Sequence, residues 1–185
     1  NLAIGANTLT VSSITLGADG SITGGANANL TVNSASAIPT IVNGIGILTV
    51  TSNSSVTLGD SLILRGGLVI NAGSSLDSTA SHTLSLKNMA FIKNYGTLAG
   101  NIALTGTGNF TFGSTGIFAL TSVNIYRTGY TASLGANINL GDLTLTAGKL
   151  SIGAYTLTVS SISGGGTVVG GASSALVAAG TLTLP

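Results

Sequence analysis

Residues 45–64 read Ile-Gly-Ile-Leu-Thr-Val-Thr-Ser-Asn-Ser-Ser-Val-Thr-Leu-Gly-Asp-Ser-Leu-Ile-Leu. Three short runs stand out: Leu-Thr-Val at 48–50, Val-Thr-Leu at 56–58 and Leu-Ile-Leu at 62–64. The first two alternate an apolar residue with Thr, the period-2 pattern of a strand with one buried face. Ser, Asn, Gly and Asp fill the gaps, and these residues favour turns. The same cadence runs outward in both directions. Leu-Thr-Val recurs at 9–11 and 30–32, Ile-Thr-Leu stands at 14–16, and Thr-Leu-Ser-Leu follows at 83–86. Later come Asn-Phe-Thr-Phe at 109–112, Asp-Leu-Thr-Leu at 142–145 and Thr-Leu-Thr-Val at 156–159. Gly-Ala-Asn, Gly-Ala-Asp-Gly, Asn-Gly and Gly-Gly separate the runs and suit corners that need positive φ. Helix formers are scarce: Glu and Gln are absent and Lys plus Arg number five.

The chain is therefore all-β, and two architectures accommodate it: a β-sandwich of the pilin kind, or a parallel β-solenoid whose short strands stack coil upon coil. Three features favour the solenoid. Charged residues are 5% of the 185 residues, against roughly 25% in an ordinary domain, and like charges stacked in a ladder would repel. Gly, Ser, Thr and Asn account for 92 residues, and Thr, Ser and Asn stack well on themselves. Trp is absent and Phe numbers four, few for a sandwich core. With three short strands per coil of roughly 20–25 residues, the chain makes about eight coils and a rod of roughly 40 Å.

Composition also excludes functions. A net charge of +1 cannot neutralise several phosphates, so nucleic acid is not an expected partner. Without Cys there is no disulfide framework, thiolate site or Cys nucleophile. Mean hydropathy is positive at +0.61, yet no run of 18 apolar residues forms a spanning helix, and the interrupted strands and eight aromatics do not suit a membrane barrel. No Lys/Arg-led apolar segment opens the sequence, which reads as a mature product or a piece of something longer.

The two ends match. Residues 2–14 and 150–162 are identical at eleven of thirteen positions, at an offset of 148. Residues 1–148 thus read as one solenoid unit and 149–185 as the start of the next copy, continuous with it. Neither end carries a charge or helix to cap it, so the chain is expected to continue head to tail. The matching segments should then occupy equivalent places, roughly 30–35 Å or about seven coils apart.

The stretch from Leu120 to Tyr130, Leu-Thr-Ser-Val-Asn-Ile-Tyr-Arg-Thr-Gly-Tyr, is followed by Leu-Gly-Ala-Asn-Ile-Asn-Leu-Gly-Asp-Leu-Thr-Leu-Thr-Ala-Gly-Lys-Leu-Ser-Ile-Gly-Ala-Tyr-Thr-Leu-Thr-Val at 134–159. These residues, with Ser-Gly-Gly-Gly-Thr-Val-Val-Gly-Gly-Ala-Ser-Ser-Ala-Leu from 163, resemble the repeats of large Bacteroidota surface proteins exported by the type IX secretion system. Those proteins include adhesins and gliding-associated filaments. The likeness covers residues 116–185 and 1–32. Where those repeats carry Asn-Arg-Thr-Gly, this chain has Tyr126-Arg127-Thr128-Gly129. The resemblance implies export to the cell surface or beyond, a structural role and no enzymatic activity. Proteins of that kind carry O-glycans at Asp-Ser/Thr followed by an aliphatic residue or Thr, which makes Ser61 and Ser78 candidates.

Chemistry is thinly supplied. The carboxylates Asp19, Asp60, Asp77 and Asp142 each neighbour Gly or Ser and read as turn residues or strand-end caps. His82 could formally join Asp77 and a serine, but no nucleophile turn accompanies them. No Asp-x-Asp calcium pattern occurs, and no Lys follows the Gly-rich runs at 164–166 and 170–171, so neither metal nor cofactor is expected. Asn29, Asn53 and Asn109 head Asn-x-Ser/Thr sequons. Thr-x-Thr pairs at 8/10, 49/51, 105/107, 144/146, 156/158 and 181/183 would bind ice only as a regular array, and their intervals are irregular. Aromatic and cationic residues gather in two places: His82, Lys87, Lys93 and Tyr95, with Met89 and Phe91 between them, and Tyr126, Arg127 and Tyr130. These are the candidate contacts for a glycan or a neighbouring filament.

The sequence reading is thus a structural segment of an extracellular filament or giant adhesin. The alternatives are a secreted β-helix that binds carbohydrate or ice, and a pilin-like subunit polymerised by strand exchange.

Overall fold

The computed structural model describes residues 1–51, 53–79, 81–88, 91–113, 115–180 and 182. It is an all-β parallel solenoid of about nine coils. Among the described residues every strand pairing is parallel. That pattern excludes the sandwich, which pairs its strands antiparallel. No described helix is long and apolar enough to cross a membrane. Met89 and the pair Thr181/Thr183 lie outside the described residues.

Each coil visits three faces, here called A, B and C. Face A begins with Leu2–Ala3, Ile22–Thr23 and Ile41–Val42 and continues through the column Leu64, Leu86, Leu104, Ile125, Leu145. Face B carries the column Leu9, Leu30, Leu48, Leu68, Ile92, taken up by Phe110, Ala132, Leu150 and Val168. Face C carries Val56, Leu76, Leu98 and Phe118, then Ile138, Leu157 and Leu176. The first five residues of the face B column are 18 to 24 residues apart, so coils are shorter than expected and the chain completes about nine rather than eight.

The alternation seen in sequence sets the core. In Thr97–Thr105 every second residue is buried, and the columns fill the rod with Leu, Ile and Val. Fully burying one such side chain is worth about 1.5–3 kcal/mol. Three of the four Phe cluster where the sequence suggested no large core residues: the Phe110 and Phe112 rings lie 5.0 Å apart at 84°, and Phe112 and Phe118 6.0 Å apart at 85°. Edge-to-face packing of this kind is favourable.

Corners are built by two devices. Glycine is required where coils touch: Gly44 has φ of 64°, and a Cβ there would collide with the Ile63 carbonyl of the next coil. Asparagine before a strand accepts a backbone N–H from the following coil. Asn29 Oδ1 takes Ile47 N at 3.0 Å, Asn109 Oδ1 takes Thr131 N at 3.0 Å, and Asn137 Oδ1 takes Thr156 N at 2.8 Å. At each, the amide oxygen satisfies a donor that the corner would leave unpaired; Asn137 does so from the Gly-Ala-Asn at 135–137.

The matching ends share a local conformation, but their places differ. Gly5 and Gly153, at matching positions of the two segments, adopt φ of 64° and 65°. Yet Leu2–Ala3 lies on face A and Thr8–Val11 on face B, while Leu150 lies on face B and Leu157 on face C. The expected equivalence therefore fails by one face. Seven coils carry the chain from Leu9 to Leu150, and the 148-residue offset adds one further strand and corner, reaching Leu157. Strand, glycine corner and strand serve any face, because all three turn the same apolar alternation inward.

Candidate functional site

The corner between faces C and A carries a polar ladder along the rod. Ser21 Oγ donates to Asn1 Oδ1 at 2.8 Å, Thr40 Oγ1 to Asp60 Oδ2 at 2.6 Å, and Thr83 N to Ser61 Oγ at 3.1 Å. Ser122 Oγ donates to Asn101 Oδ1 at 2.9 Å and Ser161 Oγ to Asp142 Oδ1 at 2.6 Å. The expected stacking of Ser, Thr and Asn is realised here. The carboxylates serve as caps: Asp60 also accepts Ser61 N at 2.6 Å, and Asp77 accepts Thr79 N at 2.7 Å. The Thr40 hydroxyl, then the Ser61 amide, hold the Asp60 carboxyl below its ordinary value. Among the described residues, no three of His, Cys, Asp and Glu cluster as metal ligands would.

The modification candidates separate. Ser61 is exposed. Ser78 is fully buried; its Oγ donates to Asn101 O at 2.9 Å and accepts Asn101 N at 2.5 Å. The Asp77-Ser78 pattern is therefore no modification site in the folded chain, because Ser78 follows the last strand residue of face C and turns into the corner. Asn53 and Asn109 are exposed, whereas Asn29 is half-buried beneath the next coil. Of the Thr-x-Thr residues, Thr10 and Thr49 stack through Thr31 on face B, while Thr144 lies on face A and Thr158 on face C, so no regular array forms.

The first contact candidates are spread around the rod. His82 is half-buried at the C–A corner, and Lys87 is exposed at the end of a face A strand. Lys93 projects from face B with its ammonium 5.4 Å from the Phe91 ring centroid, and Tyr95 stands exposed at the B–C corner. They do not form one patch.

The second group is a finger at the A–B corner. Between Tyr126 and Thr131 the chain leaves the ladder; the next coil pairs these two residues with Ala147 and Lys149. Tyr126 is 54% and Tyr130 36% exposed. Arg127, expected beside them on the surface, is instead fully buried. Its Nη1 donates to Gly108 O at 2.6 Å and Thr107 O at 3.4 Å, and its Nη2 to Leu86 O at 3.3 Å. The guanidinium carbon also sits 5.4 Å from the Phe110 ring centroid. The side chain thus ties its own coil to carbonyls of the two preceding ones. Burial lowers its pKa. Its side chain fixes the finger, on which Tyr126 and Tyr130 stand exposed.

No protein-family model, no curated protein and no solved structure matches the chain. Its surface is left as the guide to function.

That surface is polarised. Of the four cations that reach the surface, Arg65, Lys87 and Lys149 lie at the A–B corner, above the buried Arg127. Three of the four carboxylates, Asp19, Asp60 and Asp142, lie at the C–A corner, and Asp77 ends a strand leading into it. The two corners are the opposite edges of face A. A linear reading showed sparse mixed charge; the segregation requires the register of the coils.

Proposed function

We propose that the chain is a non-enzymatic structural segment of an extracellular filament or giant repetitive surface adhesin, continued head to tail as a stiff β-rod. One observation carries this reading: like side chains stack from coil to coil, in apolar columns such as Leu30, Leu48 and Leu68 and in the Ser, Thr, Asn and Asp ladder of the C–A corner, so each coil is a template for another. The recurrence of 2–14 at 150–162 with the same glycine corner supplies a chain able to extend that template. The closed ladders, with few charges, suit a load-bearing element. Surface location rests on the resemblance described above.

Electron microscopy of the chain over a concentration series tests this. Rods should lengthen end to end beyond the roughly 43 Å of nine coils, and Leu176→Asp should suppress lengthening without unfolding. Rods that stay single at high concentration, with Leu2 and Leu176 covered by their own chain, would refute the reading.

A further inference from the structure

We propose that these rods also pair side by side, in parallel and in register, the A–B edge of one copy against the C–A edge of the next. This goes beyond end-to-end continuation, because it uses the flanks and not the ends.

Charge gives the first argument. The two edges of face A carry opposite charge, and the charges match in height. Asp60 and Arg65 bracket face A in one coil, and Asp142 and Lys149 bracket it in another. Two rods laid with their A faces coplanar bring Arg65 opposite Asp60 and Lys149 opposite Asp142 without an axial shift. Lys149 has no carboxylate among the residues lining the groove beside it. Complementary edges of this kind set register and suppress wrong pairings more than they add affinity.

Shape gives the second. The Tyr126–Tyr130 finger projects from the A–B edge and is held rigid by the buried Arg127. Near the C–A edge lies a groove of about 370 Å³, lined by Ile117, Ala119, Leu120, Asn139, Gly141 and Ser160. The finger and the start of this groove belong to the same coil, since residues 117–120 lead through face A directly into Tyr126. Ile117 is the most exposed large apolar residue among the described residues, at 64%. Two tyrosines entering a groove of mixed polar and apolar lining, flanked by charge pairs, is the composition of a small interface centre. A second copy accounts for both edges at once, whereas an acidic glycan would account for the basic edge alone.

Exposed charge pairs are individually weak, so a single pair of rods should associate weakly and longer rods cumulatively. The test is sedimentation of the 185-residue chain at low and high salt, with electron microscopy of the same samples. Side-by-side pairs of doubled width should form at low salt, and the association constant should fall at least tenfold in 0.5 M salt. Lys149→Asp and Asp142→Lys should each weaken pairing about tenfold, and mixing the two variants should restore it through the reversed junction. Tyr126→Ala with Tyr130→Ala should weaken it similarly while the melting temperature holds. Pairing indifferent to salt and to charge reversal, or association seen only as longer rods, would overturn the proposal. So would an A–B edge that binds trigalacturonate in chains that stay monomeric.

Discussion

Replacing Arg127 by Met probes the least expected feature of the core. Met keeps much of the apolar stem volume and removes the guanidinium. The carbonyls of Gly108 and Leu86 then lose charged donors at 2.6 and 3.3 Å. Leaving a buried polar group unpaired costs about 1–3 kcal/mol, and the lost contact with Phe110 adds about 0.5–2 kcal/mol. Against this, the desolvation of a buried cation is relieved by several kcal/mol. Both carbonyls remain in place, and counting about 1–3 kcal/mol for each with the ring contact, the losses exceed the relief and the balance should be a net loss of about 2 kcal/mol for Met. Ala adds a cavity and should lose about 4 kcal/mol. Equilibrium urea unfolding followed by circular dichroism measures both, and hydrogen exchange should localise the damage to residues 104–112 and 125–134. A Met variant as stable as the parent would show that the guanidinium is tolerated and not used, and the account of the finger's rigidity would fall with it.

Gly44→Ala should lose at least about 2 kcal/mol, from the left-handed φ of 64° and the blocked approach to Ile63, read as a lower urea midpoint. Ser78→Ala should lose about 1–3 kcal/mol, because Asn101 N and O lose their buried partner, whereas Ser61→Ala should stay within about 0.5 kcal/mol. If the chain is O-glycosylated, peptide mapping should find sugar at Ser61 and none at Ser78. Stability should be nearly flat from about pH 5 to 10, since few groups titrate. Asp60 is held below its ordinary value, so the folded state binds fewer protons than the unfolded one. Its small contribution is present above about pH 4 and lost as pH falls further, and Asp60→Asn should remove that acid limb.

The fold was legible because its signals are local. Runs such as 48–50 and 56–58 state their own strand and inward face, and the Gly-Ala-Asn corners state where the chain turns. Coil number was nearly legible: coils of 18 to 24 residues, in place of 20–25, give about nine rather than eight. What sequence could not show are facts of register. Tyr-Arg-Thr-Gly at 126–129 reads as a polar loop until Gly108 O and the Phe110 ring are placed opposite Arg127. Asp77-Ser78 reads as a modification motif until the third face turns Ser78 inward onto Asn101. The split of charge between two edges depends on knowing that Leu64 stacks on Leu86 and Ser122 on Asp142. The identical segments were the subtlest case, because the motif specifies a corner and no particular face.

The most direct test of the central claim is cryo-electron microscopy of a tandem chain in which residues 1–148 precede residues 1–185. The account predicts one unbroken rod, longer than the single chain by about seven and a third coils or roughly 35 Å. The second Leu9 should stand on the face next to that of the first. Two rods joined by a flexible break would contradict it, as would a second unit that restarts on the same face.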